Sequence, residues 1–157
     1  MAELLFRRFE KIGRGSFGVV YRGYVQALMA RQEIATGEPV AIKILDLDTD
    51  DEDMDDIQKE IAILSRCDSE YITRYRGAYL NGSKLWLILD YAGAGSLRSL
   101  LKSGTLSETV IAVICRQVLN ALVYLHKHAG IIHRDIKAGK IACTHEKQIF
   151  FLQTTQM

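Results

Sequence analysis

A short polar segment at residues 133–140 combines several side chains that can handle protons and charge. His133 supplies an imidazole and Asp135 a carboxylate, while Arg134, Lys137 and Lys140 supply cations between apolar flanks. Such a set is typical of a catalytic loop that performs acid–base chemistry. The same residues would also suit a solvated charged turn, so the rest of the chain must decide between the two interpretations.

A second candidate for chemistry is the glycine-rich segment that contains Gly13, Gly15 and Gly18. The residues that follow, 19–21, are β-branched or aromatic and therefore favour a second strand rather than a helix. The pattern predicts a hairpin whose tip could lie over phosphate groups and offer them backbone N–H groups. A plain glycine-rich hairpin turn is the alternative.

Two isolated charges stand in apolar surroundings. Lys43 interrupts the short apolar strand predicted at residues 40–45, and Glu60 lies beside the apolar stripe of a helix predicted at residues 57–64. A carboxylate is costly to bury unless a cation meets it, and Lys43 is the candidate partner of Glu60. Alternatively, Lys43 faces solvent on an edge strand, and the pattern leaves both possibilities open.

The totals describe an ordinary soluble domain. Twenty Lys and Arg residues stand against nineteen Asp and Glu residues, so the net charge gives no indication of a nucleic-acid or membrane partner. The longest apolar run, residues 85–89, is too short to span a bilayer. Three dispersed cysteines, Cys67, Cys115 and Cys143, predict neither a disulfide framework nor a zinc site, and they favour a cytoplasmic location.

The order of predicted elements gives a sheet followed by helices. The glycine hairpin, residues 40–45, residues 71–81 and residues 84–89 predict about five antiparallel strands with one helix on the sheet. Residues 25–38 are interpreted as a long connection. The acidic residues 46–56 favour a solvated face, with a docking surface for a basic partner as the alternative. Residues 90–96, rich in small residues, are the candidate hinge between two lobes.

The second half predicts helices and the polar segment. Ser96 begins a short helix at residues 97–102, and Thr105 with Glu108 forms a capping box for a longer helix that ends at Gly130. Residues 131–132 are predicted as a brief strand that presents the polar segment. The apolar stripe expected to face a core comprises Ile111, Ile114, Val118, Leu122 and Leu125.

These features match a known family in order and spacing. The chain carries a Gly-x-Gly-x-x-Gly segment at 13–18, Val-Ala-Ile-Lys ending at Lys43, Glu60 in a helix with an acidic start, and His-Arg-Asp-Ile-Lys at 133–137. Over about residues 9–141 it resembles a eukaryotic protein kinase. The position of Lys137 is similar to the serine/threonine class, and residues 48–53, 57–61 and 84–86 are similar to the Ste20-like, germinal-centre-kinase branch.

The resemblance implies an α+β fold, with a kinase-like small lobe of five antiparallel strands and one helix. Only the first helices and the catalytic loop of the large lobe would follow. The implied domains are the N-lobe at 1–89, the hinge at 90–96, a partial C-lobe at 97–141 and a tail outside the family pattern at 142–157.

The resemblance also implies ATP binding and transfer of its γ-phosphoryl group to protein serine or threonine hydroxyls. Asp135 would accept the hydroxyl proton, Lys137 would neutralise the γ-phosphate, and Lys43, paired with Glu60, would hold the α- and β-phosphates. The glycines would cover the phosphates, and Val20 and Ala41 would pack on adenine. The implied nucleotide-binding residues are Ile12, Gly13, Gly15, Ser16, Gly18, Val20, Ala41, Lys43, Leu89, Asp90 and Ala92.

Three departures from the family predict weak or absent activity. Lys140 stands where the family carries an asparagine that binds Mg²⁺, and no Asp-Phe-Gly follows, so both usual protein ligands of the metal are missing. Residues 25–33 make a longer link than usual. We therefore expect a truncated kinase, with a non-catalytic nucleotide- or partner-binding fragment, or an unstable product, as the alternative. The protein substrate is unknown.

Overall fold

The structure, a computed structural model, describes residues 2–15, 18–25, 37–48, 51–144 and 149–151. They form two compact units. The first comprises Met1–Lys59 with Tyr75–Tyr91, and the second comprises Glu60–Arg74 with Ala92–Met157. Most of the connection predicted at residues 25–38 falls on residues 26–36, which lie outside the described residues, and Val25 belongs to a strand. The predicted domain boundaries stay a prediction.

The first unit contains a five-stranded antiparallel sheet with the strand order β1-β2-β3-β5-β4. The sheet confirms the predicted number of strands and their antiparallel pairing. The glycine hairpin forms β1 and β2, and Asn81 and Gly82 turn β4 into β5, with Gly82 in the left-handed region. The strands are β1 Phe6–Gly15, β2 Gly18–Val25, β3 Pro39–Asp46, β4 Tyr75–Asn81 and β5 Lys84–Asp90.

Alternation along β3 gives the two faces of the sheet different contents. Ile42 and Ile44 face Ile88 and Trp86 of β5, and this face builds a core cluster with Phe6. The opposite face carries Ala41 and Lys43, with Leu87 and Leu89 opposite them on β5. The apolar run at residues 40–45 therefore reflects a central strand that is buried on both faces.

Four α-helices, a π-helix, a 3-10 turn at Ala138–Lys140 and a second small sheet complete the described elements. A short helix, α1, precedes the large sheet, α2 follows β3, and α3 and α4 follow β5. At the end of α4 the helix widens into a π-helix, and Gly130 closes it in the left-handed conformation, as predicted. The bounds are α1 Ala2–Leu5, α2 Asp51–Arg66, α3 Leu97–Ser103, α4 Glu108–Val123 with the π-helix Tyr124–Ala129, β6 Ile141–Cys143 and β7 Ile149–Phe151.

The core of the second unit is built around α4 and the π-helix. Ile114 and Leu125 are buried as predicted, and Val118 and Leu122 pack against the same cluster. Ile111 was predicted to face this core, but it is 46% exposed, so that part of the prediction is wrong. It lies in the first turn of the helix.

Three local predictions are wrong in detail. The helix cap is Ser107, whose hydroxyl accepts from the Val110 N–H, rather than Thr105, so α4 starts two residues later than the capping-box pattern indicated. The strand predicted from residue 71 begins only at Tyr75. Residues 131–132 form no strand, because the Ile131 N–H still completes the end of the π-helix by donating to the Leu125 carbonyl.

The last described segment forms an antiparallel hairpin. Ile141 pairs with Phe151 and Cys143 with Ile149, giving β6 and β7. The sequence was interpreted as an unrelated tail from residue 142 and gave no prediction of secondary structure there. The structure therefore adds these two strands to those predicted from the sequence.

Among the described residues, the helix Glu108–Ala129 is long and apolar enough to cross a membrane. Helices in the cores of soluble domains share both properties. Length and composition alone therefore assign this helix no membrane role.

Gly18 is required where β2 approaches β3. A Cβ added there would lie 2.1 Å from the carbonyl oxygen of Ile44, which belongs to the backbone and cannot rotate away. We expect Gly18→Ala to lower the free energy of unfolding by ~1–3 kcal/mol, because the two strands must separate. Urea unfolding followed by the fluorescence of Trp86, the sole tryptophan, would measure this.

Gly104→Ala is the matched control, because nothing lies within 4 Å of a Cβ at Gly104. Its unfolding curve should match that of the wild-type protein. Equal stability of the Gly18 and Gly104 variants would contradict the close approach of the two strands.

Candidate functional site

One face of the large sheet carries several residues predicted to bind nucleotide. Val20 of β2 lies opposite Lys43 of β3, and Ala41 lies opposite Leu89 of β5. The backbone of Gly13 approaches Val20, since a Cβ added at Gly13 would lie 3.8 Å from that of Val20. Strand pairing thus brings these residues to one face, next to the glycine hairpin.

Lys43 is buried within this face, with 4% of its surface exposed. Lys43 lies on a central strand, between β2 and β5. The structure therefore contradicts the alternative of a lysine that faces solvent on an edge strand. A buried ammonium requires anionic or hydrogen-bonding partners. The side chain of Glu60, like residue Ser16, lies outside what is described, so the pairing of Lys43 with Glu60 stays a prediction.

The other predicted nucleotide residues have different surroundings. Ile12 is 44% exposed on β1. Asp90 ends β5, and Ala92 lies beyond it in the second unit, where its carbonyl accepts from the Gly95 N–H. Gly15 ends β1, where it pairs with Gly18 of β2.

Asp90 belongs to a network of ion pairs within the first unit. The Arg76 guanidinium donates to both carboxylate oxygens of Glu38, at 2.7 and 2.6 Å, and to Oδ1 of Asp90 at 2.6 Å. These hydrogen bonds raise the pKa of Arg76 and lower the pKa of Glu38. Sequence reasoning missed Arg76 and Glu38, because charges 38 residues apart give no local pattern.

The polar segment 133–140 belongs to the second unit. His133 is 2% exposed, and both its carbonyl oxygen and its Nδ1 accept from the Asp135 N–H, at 2.9 and 3.2 Å. Arg134 between them has a φ of 62°, the sole non-glycine in the left-handed region among the described residues. Such backbone strain is typical of functional loops, and here it turns Asp135 back toward His133.

The Asp135 carboxylate is paired with two lysines through the same oxygen. Nζ of Lys137 lies 2.8 Å from Oδ2 of Asp135, and Nζ of Lys140 lies 2.7 Å from it. The two ammonium groups lower the pKa of Asp135 to about 2. The structure thus brings together the two predicted catalytic-loop residues, and it adds Lys140 as a third member.

Backbone contacts explain how Lys140 reaches Asp135. Residues Ala138–Lys140 form a 3-10 turn in which the Lys140 N–H donates to the Lys137 carbonyl at 2.9 Å. The following strand, β6, is held by hydrogen bonds from the Cys143 N–H to the Gly95 carbonyl and from the Ala94 N–H to the Cys143 carbonyl. The side chain of Lys140 is only 11% exposed, against 59% for Lys137.

The described residues do not fit a magnesium ion. Mg²⁺ binds oxygen ligands in octahedral geometry, and in nucleotide sites the protein supplies one or two of them beside phosphate and water oxygens. Lys140 presents an ammonium group to this loop and cannot be such a ligand. The oxygen of Asp135 that a cation would approach already accepts from two ammonium groups. A third cation would be repelled there.

Comparison with known proteins defines the class. The protein kinase domain matches residues 6–152, and the chain belongs to that family. Its curated relatives are serine/threonine kinases of the Ste20-like, germinal-centre-kinase type, which is the branch predicted from the sequence. The family match extends past residue 141, through the β6–β7 hairpin.

Three relatives illustrate the similarity. Serine/threonine-protein kinase KIC1 of Saccharomyces cerevisiae is 45% identical over 92% of this chain and 13% of its own length. Serine/threonine-protein kinase sid1 of Schizosaccharomyces pombe is 43% identical, over 83% of this chain and 26% of its own length. Serine/threonine-protein kinase dst1 of Dictyostelium discoideum is 44% identical over 84% of this chain and 17% of its own length. The chain thus spans less than a third of each.

The Asp135 carboxylate should stay ionised in mild acid. Because two ammonium groups stabilise its charged form, we expect its carboxyl carbon signal in NMR to titrate near pH 2. Lys140→Met removes one of these groups, so the titration should move toward higher pH. An unchanged midpoint in the Lys140 variant would contradict the ion pair, and Lys102→Met, a change at an exposed lysine of α3, is the control.

The ion pair between Glu38 and Arg76 should stabilise the first unit in a pH-dependent way. The pKa of Glu38 is lowered from 4.5 by Arg76, so the stabilisation is present above that pH and is lost as the pH falls below it. We expect Glu38→Gln to lower the free energy of unfolding by about 0.5–1 kcal/mol at pH 7. In urea unfolding the deficit should shrink as the pH falls below 4.5 and Glu38 becomes protonated in the folded protein. Glu3→Gln should show no such deficit, and a deficit independent of pH would contradict the ion pair.

Proposed function

We propose that this chain is a nucleotide-binding homologue of the Ste20-like serine/threonine kinases whose catalytic loop transfers phosphate weakly or not at all. The reaction of the family would be transfer of the γ-phosphoryl group of ATP to protein serine or threonine hydroxyls. The observation that carries the proposal is the double pairing of the Asp135 carboxylate with Lys137 and Lys140.

The proposal for weak transfer follows from the basicity of Asp135. A general base works best when its pKa lies near the working pH, and this carboxylate has a pKa of about 2. Its Oδ2 atom already accepts from two ammonium groups, so a substrate hydroxyl must compete with them. Lys140 therefore acts against the proton transfer that the loop would otherwise perform.

The proposal for nucleotide binding is supported by the sheet. The buried Lys43 supplies a cation for phosphates, and Val20, Ala41 and Leu89 offer apolar surface to a base. The glycines of the hairpin have no side chains, so their backbone N–H groups can approach phosphate oxygens closely. The roles of these residues and of Glu60, Lys137, Asp90 and Ala92 are proposed from the family pattern.

The cellular setting is also a proposal. Cys67, Cys115 and Cys143 are all thiols, which supports a reducing compartment such as the cytoplasm. ATP is the proposed ligand, and a protein carrying serine or threonine is the proposed class of substrate for the family reaction.

Nucleotide binding can be measured independently of phosphate transfer. We expect the 157-residue protein to bind a fluorescent ATP analogue, and Lys43→Met to weaken this binding by about tenfold or more, because a charge-assisted contact to phosphate is lost. Lys84→Met, at an exposed lysine of the same sheet, should bind as the wild-type protein does. Fluorescence anisotropy measures the affinity, and melting curves verify that each variant folds.

Phosphate transfer to a generic basic protein should be no higher for the wild-type chain than for Asp135→Asn. A wild-type rate that falls by a hundredfold or more in Asp135→Asn would contradict the proposed weak transfer. Absence of nucleotide binding at all ATP concentrations would contradict the proposed binding.

A further inference from the structure

We propose that Arg76 is a positioning residue for nucleotide binding. Through its ion pairs it fixes the strand ends beside the surface at which the base of the nucleotide lies. The inference rests on the proposed nucleotide binding and adds a residue that none of the sequence motifs contains. It concerns the first unit alone, to which Glu38, Arg76 and Asp90 all belong.

The first observation is a β-bulge at Arg76. Tyr75 pairs with Leu89 and Gly77 pairs with Ile88, so β4 has one extra residue, Arg76, between two consecutive partners on β5. Gly77 has a φ of 150°, a backbone conformation that residues with a side chain rarely adopt. Bulges bend a strand and redirect its side chains. The backbone of β4 therefore presents Arg76 to the last residue of β5.

The second observation is that one guanidinium joins three parts of the sheet. Arg76 donates through Nη1 and Nη2 to both carboxylate oxygens of Glu38, just before β3, and through Nε to Asp90, the last residue of β5. The Glu38 carbonyl accepts from the Val25 N–H at the end of β2. A bidentate pair fixes geometry better than a single ion pair does, so these strands are tied together at one end of the sheet.

The third observation is the place of this tie along β3. Val40, the second residue of β3, pairs with Asp90. The next residue, Ala41, pairs with Leu89, and both belong to the apolar surface proposed for the base. Lys43, the proposed phosphate ligand, lies three residues beyond Val40, which is about 10 Å at the rise of a β-strand. Loss of the ion pairs should therefore disturb the base end of the site and spare its phosphate end.

The test compares ATP with inorganic tripolyphosphate, which lacks the base and the sugar, as competitors of the fluorescent ATP analogue on the 157-residue protein. Arg76→Met should weaken ATP binding by about tenfold and leave tripolyphosphate binding within about twofold of the wild-type value. Lys84→Met, at an exposed lysine at the other end of β5, should bind both ligands as the wild-type protein does. Melting curves verify that each variant is folded at the temperature of the measurement.

A double variant shows whether Arg76 acts through Asp90. Asp90→Ala removes one acceptor of the guanidinium, so this single change should also weaken ATP binding. In Arg76→Met the contact is already lost, so adding Asp90→Ala should weaken ATP binding no further. Two effects that multiply in the double variant would overturn the inference.

A further measurement needs no nucleotide. Backbone amide relaxation in NMR should show larger motion at Asp90 in Arg76→Met than in the wild-type protein, because the side-chain contact that holds this strand end is lost. The amide of Lys84, at the opposite end of β5, should be unchanged. Equal motion of the Asp90 amide in the two proteins would overturn the inference.

The outcomes separate the inference from the proposed function. Equal weakening of ATP and tripolyphosphate in Arg76→Met would show a general loss of stability or of positive charge. That result would overturn the positioning role and leave the nucleotide-binding proposal in place. Unchanged ATP affinity in Arg76→Met would do the same. A wild-type protein that binds neither ligand would overturn the proposed function, and the inference with it.

Discussion

The chemistry of residues 133–140 depends on one oxygen atom, Oδ2 of Asp135, which accepts from the ammonium groups of both Lys137 and Lys140. A carboxylate in this state is a weak base and a poor ligand for a metal. The loop retains the order of residues that identifies its family while its electrostatic character has changed. Lys137 and Lys140 both lower the pKa of Asp135, and Lys140 is the one of the two that departs from the family pattern.

The position of Lys140 depends in turn on backbone hydrogen bonds some distance along the chain. Residues 94–95 pair with Cys143, and the short strand that results directs the preceding 3-10 turn toward Asp135. The small-residue segment at 90–96 therefore has a structural role in the second unit in addition to linking the two units. Arg134, held at positive φ, completes the arrangement from the other side of the loop.

Much of the first unit could be predicted from the sequence, because its signals are local. The glycines followed by β-branched residues, the Asn-Gly turn and the apolar run at β3 each specify a hairpin or a strand within a few residues. The face shared by Val20, Ala41, Lys43 and Leu89 then follows from strand pairing.

Features that depend on distant residues could not be predicted. The Arg76 network joins three strand ends, and the ion pair of Lys140 depends on a turn whose geometry is set by β6. The cap of α4 was placed at Thr105 because two candidate hydroxyls lie two residues apart, and only the backbone direction selects Ser107. The sequence indicated that Lys140 departs from the family pattern, but not that it pairs with Asp135.

The close approach of β2 to β3 at Gly18 has a consequence for how such chains diverge. Because the sheet itself excludes any side chain at this position, selection for a folded sheet would preserve the glycine even in a lineage that had stopped using nucleotides. A glycine at position 18 is therefore explained by the packing of the two strands and does not by itself indicate nucleotide use.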